Sequence, residues 1–144
     1  MKTKKSIRVA RFIAIGVLTT LVTVSFTSCT KKMVFSRSSV VPAAEGFVKV
    51  KTDDNNNYVI QIKLSNLAEI DRLEPAKKTY VIWMLTDQGQ TENIGRITSS
   101  SKLNATFETV SSHKPTKIFI TAEENTEAQY PGETIVLTTD PFGY

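Results

Sequence analysis

From Gly46 onward the apolar residues recur at every second position rather than every third or fourth. That period suits a strand with one buried face, not a helix. Phe47-Val48-Lys49-Val50-Lys51 alternates apolar and basic after its first residue. Tyr58-Val59-Ile60-Gln61-Ile62-Lys63-Leu64 then sets Tyr58, Ile60, Ile62 and Leu64 on one face. The intervening Asp53-Asp54-Asn55-Asn56-Asn57 is a turn, because Asn and Asp tolerate left-handed backbone and bond their own main chain. Two alternating runs around such a turn predict a β-hairpin.

The same reading extends to the C-terminus. Asn66-Leu67-Ala68-Glu69 has capping-box spacing, with Leu67, Ile70 and Leu73 or Glu74 on one helical face, and Pro75 ends anything longer than one or two turns. An irregular loop is the alternative there. Thr79-Tyr80-Val81-Ile82-Trp83-Met84-Leu85-Thr86 is nearly all apolar and β-prone, so it reads as a central strand buried on both faces. Further strands are expected at Glu92–Thr98, Leu103–Val110, Lys117–Ala122 and Glu133–Thr138, with turns or loops between them. A first strand near Met33–Val41 completes the set. Seven or eight short strands with almost no helix predict an all-β chain folded as an antiparallel, Ig-like β-sandwich. A chain of 144 residues buries roughly two thirds of its surface on folding, enough for one core without disulfides.

The formal charge of +4 suggests a nucleic-acid binder until the positions are read. Lys2, Lys4, Lys5, Arg8 and Arg11 precede an uncharged run from Phe12 to Phe26, followed by the small residues Thr27 and Ser28 and then Cys29. A basic end, a short apolar run and a small-residue exit form a secretory signal. Five of the 18 basic residues belong to it, which leaves 13 against 14 acids and a net charge of −1 beyond residue 28. No nucleic-acid partner is expected.

Phe26-Thr27-Ser28-Cys29 resembles a bacterial lipobox, with Phe26 where Leu is usual. The resemblance implies cleavage between Ser28 and Cys29 and a diacylglycerol on the Cys29 thiol. The cysteine occurs nowhere else in the chain. An uncleaved single-pass anchor is the rival reading. Phe12 to Phe26 spans roughly 22 Å as a helix, short of the ~30 Å hydrocarbon core. Extending it to Thr30 reaches roughly 28 Å, but over a segment rich in Thr and Ser. The lipobox divides the chain into a signal peptide at 1–28, a lipidated tether at 29–45 and a sandwich at 46–140. Lys31 and Lys32 beside the lipid favour an anionic bilayer face. The absence of acids just after Cys29 points to the periplasm rather than the cell surface, with the choice of inner or outer membrane open.

Chemistry is sparse. One histidine and one cysteine cannot build a multi-His metal centre or a four-ligand zinc site. His113 lies in the polar loop Ser111-Ser112-His113-Lys114-Pro115 with no orienting acid identifiable, so it reads as an exposed loop residue rather than a general base. Glu69, Asp71 and Glu74 form one acidic cluster, and Glu123, Glu124 and Glu127 another. Neither has calcium-loop spacing, and both read as solvated loop charge. The oxygen-rich Asp53–Asn57 run is explained by its turn. The six glycines are dispersed and form no phosphate loop. Trp83 reads as core on so apolar a strand. Asn104-Ala105-Thr106 has the form of a glycosylation acceptor, which has no bearing on a bacterial lipoprotein. The expectation is a protein without cofactor, metal or catalytic residues.

Residues 78–98, KTYVIWMLTDQGQTENIGRIT, resemble a segment of the extracytoplasmic C-terminal domain of anti-sigma-K factors. Tyr80 and Trp83, the turn at Gly89, and Ile94-Gly95-Arg96-Ile97 carry the likeness. Ile120 to Glu124 and Pro131 to Leu137 resemble that domain's closing stretch, in the same order. The resemblance implies a sandwich over about residues 46–138 and a place in envelope signalling. Those regulators grip their sigma factor with a cytoplasmic domain ahead of the membrane segment, whereas only about ten residues precede it here. The expectation is therefore an exported binding or sensing module whose partner is an envelope protein or a small ligand, held to the bilayer through acylated Cys29.

Overall fold

The computed structural model describes residues 30–97 and 104–143. Signal, lipobox and Cys29 lie outside the described residues, as does the start of the strand expected at Leu103. Eight strands form: β1 (Lys31–Val34), β2 (Glu45–Thr52), β3 (Tyr58–Ser65), β4 (Thr79–Thr86), β5 (Thr91–Ile97), β6 (Ala105–Ser111), β7 (Pro115–Glu123) and β8 (Ile135–Thr138). They make two four-stranded antiparallel sheets, ordered β1-β2-β3-β6 and β5-β4-β7-β8. β3 lies beside β6 and β4 beside β7, so the chain crosses between the sheets three times, after β3, β5 and β6, in the interlocked manner of an Ig-like sandwich. No helix among the described residues is long and apolar enough to cross a membrane.

Alternation decides which side chains meet. Val48, Val50, Ile60, Ile62 and Leu64 from the first sheet face Tyr80, Ile82, Met84, Ile118 and Ile120 from the second, all buried. The β2–β3 hairpin forms at the expected place, with Thr52 opposite Tyr58. Its turn is tied by Asp53, whose Oδ1 accepts from the backbone N–H of Asn55 and of Asn57, each at 2.8 Å. Asn56 takes a left-handed φ of 62° there.

Several boundaries differ from expectation, among them β8, which begins at Ile135 rather than Glu133. The first strand lies at Lys31–Val34 and reaches only the start of the Met33–Val41 range. It falls inside the stretch read as a tether, because Met33 packs on the core while Lys32 and Val34 face outward. Asn66 does not cap a helix: its φ is 56°, and a single 3-10 turn forms later, at Ile70–Arg72. Leu67, Ile70 and Leu73 are nonetheless all buried and close one end of the core. β7 starts at Pro115, two residues before the expected strand, because the bulge between Leu85 and Thr86 lets Thr86 pair with Pro115.

The sheets are also joined at one side. Phe35 bridges Thr139 and the Ser36 N–H donates to the Thr138 carbonyl at 2.8 Å. Phe142 then donates to the Thr116 carbonyl, and Lys31 Nζ reaches the Gly143 carbonyl. The C-terminal residues thus touch β1 at both its ends.

Gly95 shows why one glycine is required. It sits at the β4–β5 bulge with φ 155°, and a Cβ there would enter the Phe107 ring of the facing sheet. Gly89, in the β4–β5 turn, has φ 77° with open space around it. Comparing the two separates backbone strain from steric overlap. Gly89→Ala should cost about 1 kcal/mol, and Gly95→Ala about 2–3 kcal/mol because Phe107 must also move. Denaturant midpoints at constant m-value check both figures, and equal losses would refute the packing role of Gly95.

Candidate functional site

β4 is buried along both faces, as its sequence implied. Tyr80, Ile82 and Met84 point into the inter-sheet core, while Val81 and Trp83 point outward yet are fully buried. Something must cover them. The long β7–β8 connection is tied over this outer face: Asn93 Nδ2 donates to the Ala128 carbonyl at 3.1 Å, and Arg96 to the Thr126 carbonyl at 2.9 Å. Arg96 also pairs with Glu127 at 2.8 Å.

Beneath that cover runs a chain of hydrogen bonds. The Trp83 indole N–H donates to Thr121 Oγ1 at 2.7 Å, and Thr121 Oγ1 donates to Glu123 Oε1 at 2.5 Å. The Gly132 N–H donates to the same Oε1 at 2.7 Å. Thr121 is fully buried and Glu123 nearly so, and a buried carboxylate needs such donors. A Cβ on Gly132 would stand 2.7 Å from Glu123 Oε2, so a larger residue there would require the carboxylate to shift. Glu123, Lys77, Tyr130 and Gly132 line a cleft of about 660 Å3 at this end of the second sheet, and Tyr130 is 84% exposed beside it.

A second depression, of about 540 Å3, opens on the outer face of the first sheet. Lys32, Phe47, Lys63 and Asn104 are among its lining residues. Lys32 Nζ stands 4.3 Å and Lys49 Nζ 5.6 Å from the Phe47 ring centroid, within cation–π range.

The residues singled out from sequence go elsewhere. Ser28 and Cys29 lie outside the described residues. His113 has an acid partner the sequence did not disclose: Nδ1 is 2.5 Å from Glu92 Oε1 on β5. The Ser111 hydroxyl accepts from the backbone N–H of His113 at 2.9 Å. Glu69 pairs with Arg72 at 2.5 Å, and Glu124 with Lys77 at 3.5 Å. The second acidic cluster is therefore dispersed: Glu123 turns inward, while Glu124 and Glu127 take different basic partners. Among the described residues no group of three or more His, Cys, Asp or Glu is placed to hold a metal ion. What the sequence reading missed is the coupling of Trp83, Thr121, Glu123 and Gly132. Gly132 nine residues after Glu123, in a polar connection, was the available signal.

Two titrations are informative. Backbone N–H groups, chiefly that of Asn57, hold the Asp53 carboxyl below its ordinary 3.8. Its contribution is present above that value and lost as pH falls through the lower folded value. Burial pushes the Tyr80 phenol up to about 12 from 10.0, and its hydroxyl donates to the Ala68 carbonyl at 2.9 Å.

No protein-family model, curated protein or solved structure matches the chain.

Thr121→Val should leave the Trp83 N–H without its acceptor and cost about 1–3 kcal/mol. Denaturation followed by the fluorescence of this single tryptophan measures it, and a loss below about 0.5 kcal/mol would deny the network its role. In an ultraviolet pH titration Tyr80 should ionise near 12. The stability it confers should be full below pH 10.0 and disappear as pH rises through about 12.

Proposed function

We propose that the protein is a lipid-anchored, non-catalytic β-sandwich of the bacterial envelope, facing the periplasm and acting as a binding or sensing module. The observation that carries this reading is the position of β1. Its first residue, Lys31, stands two places after Cys29, so an acyl chain on that thiol would continue almost directly into a folded sheet. A diacylated cysteine next to a rigid domain fits the one cysteine of the chain and the basic-then-apolar segment before it.

The proposed kinship with the extracytoplasmic domain of anti-sigma-K factors draws support from the residues that carry the likeness. Trp83, Thr121, Glu123 and Gly132 belong to one hydrogen-bonded unit, and Gly95 meets Phe107 across the core. These contacts give the motif a structural role, so the kinship concerns the scaffold. The module's partner is an envelope protein or a small ligand, with the Glu123 cleft and Tyr130 as its outermost binding ground.

Palmitate labelling in cells tests the anchor. Label should enter the wild-type protein and vanish in Cys29→Ala; label retained in that variant would sink the proposal. Mass spectrometry of the protein taken from membranes adds the second readout. A modified Cys29 at the N-terminus supports the lipoprotein, and an intact Met1 supports an uncleaved single-pass anchor serving the same envelope role.

A further inference from the structure

The outer face of the first sheet is unlike the rest of the molecule. Lys32 on β1 lies directly opposite Lys49 on β2. Lys51 and Lys63 stand on the same face by the period-two rule. None of the four forms an ion pair with a described residue. Two acids share the face: Glu45, and Glu108, which accepts from Gln61 Nε2 at 2.6 Å. The face thus carries +2 in a chain whose total beyond residue 28 is −1. Apolar side chains lie among the lysines: Phe47 and Val59, with Val34 66% and Val110 57% exposed.

Directly opposed like charges weaken a sheet, and placing both ammoniums near the Phe47 ring offsets only part of that cost. Lysine on an edge strand is a common guard against unwanted pairing, which would account for Lys31 and Lys32. It does not account for Lys49, Lys51 and Lys63, which lie on the inner strands β2 and β3. A cationic face studded with exposed apolar groups is what an anionic bilayer recognises.

We propose that this face, framed by Lys32, Lys49, Lys51 and Lys63 around Phe47, lies flat against an anionic lipid surface. The inference rests on the proposed anchor at Cys29, which would hold the edge of the same sheet at the bilayer. Lys31 stands two positions after Cys29, a reach of roughly 7 Å. Docked this way, the first sheet covers the membrane and the second sheet looks outward. The orientation keeps the Trp83 cover and its cleft clear for a partner.

Amine footprinting on vesicles reads the orientation. The full protein, extracted from membranes, is reconstituted into phosphatidylcholine vesicles with or without about a third phosphatidylglycerol and acetylated briefly. Acetylation of Lys32, Lys49, Lys51 and Lys63 should slow by roughly fivefold or more in the anionic vesicles, while Lys78, just before β4, and Lys117 on β7 change by less than about twofold. Equal rates in the two vesicle types, or equal slowing of all six lysines, would overturn the proposal. In the Lys49→Glu, Lys63→Glu double variant, with Trp83 fluorescence confirming the fold, Lys32 and Lys51 should lose their protection; retained protection would also overturn it. The mass of the N-terminal peptide from the same sample keeps the two ideas apart. Acylated Cys29 with unprotected lysines defeats the docked face and leaves the anchor standing. An intact Met1 with protected lysines upholds the docked face and defeats the lipid anchor.

Discussion

Burial of β4 on both sides is the constraint from which the rest of the architecture follows. A strand with Val81 and Trp83 outward and Tyr80, Ile82 and Met84 inward cannot be served by one opposing sheet. The inward set is met by β2 and β3. The outward set needs a cover, and the β7–β8 connection supplies it, fastened by Asn93, Arg96 and the Glu123 carboxylate. The indole N–H could not be buried without an acceptor, which makes Thr121 the pivot between the strand and its cover. The cleft with Tyr130 at its rim results from bending a loop over a strand that is too apolar to expose.

Much of this was legible. The hairpin was visible because Asp53–Asn57 interrupts two runs of strict alternation, and β4 because eight successive residues leave no polar face to turn outward. What escaped was whatever depends on register between distant strands. Trp83 and Thr121 are 38 residues apart, and their meeting depends on how β4 and β7 align. Glu92 reaches His113 because the start of β5 lies near the β6–β7 loop, a proximity no local pattern encodes. β1 was misplaced for a different reason. A four-residue edge strand with two lysines carries too little alternation to announce itself beside the apolar residues Val40 and Val41.

Charge follows the same lesson. The basic surplus of the full chain belongs to its first eleven residues, yet the folded part is polarised in its own right, with lysines gathered on one sheet face. Lys49, Lys51 and Lys63 are visible in the sequence as the polar half of an alternation, the ordinary marker of a solvated side. Only the pairing of Lys32 with Lys49 across β1 and β2 turns scattered cations into a surface.

The contacts made by the chain's end with β1 bear on how anything can recognise this domain. Edge strands invite other chains to add themselves by backbone hydrogen bonding. Here Thr139 bridges Phe35, so the backbone is already paired just past the end of β1, while at its start Gly143 is met by the Lys31 side chain. A strand added on this side would have only the four residues Lys31–Val34 to pair with before it met the chain's own C-terminal segment. That register is too short for a long added strand, which leaves shape and charge the larger part in recognition on this side.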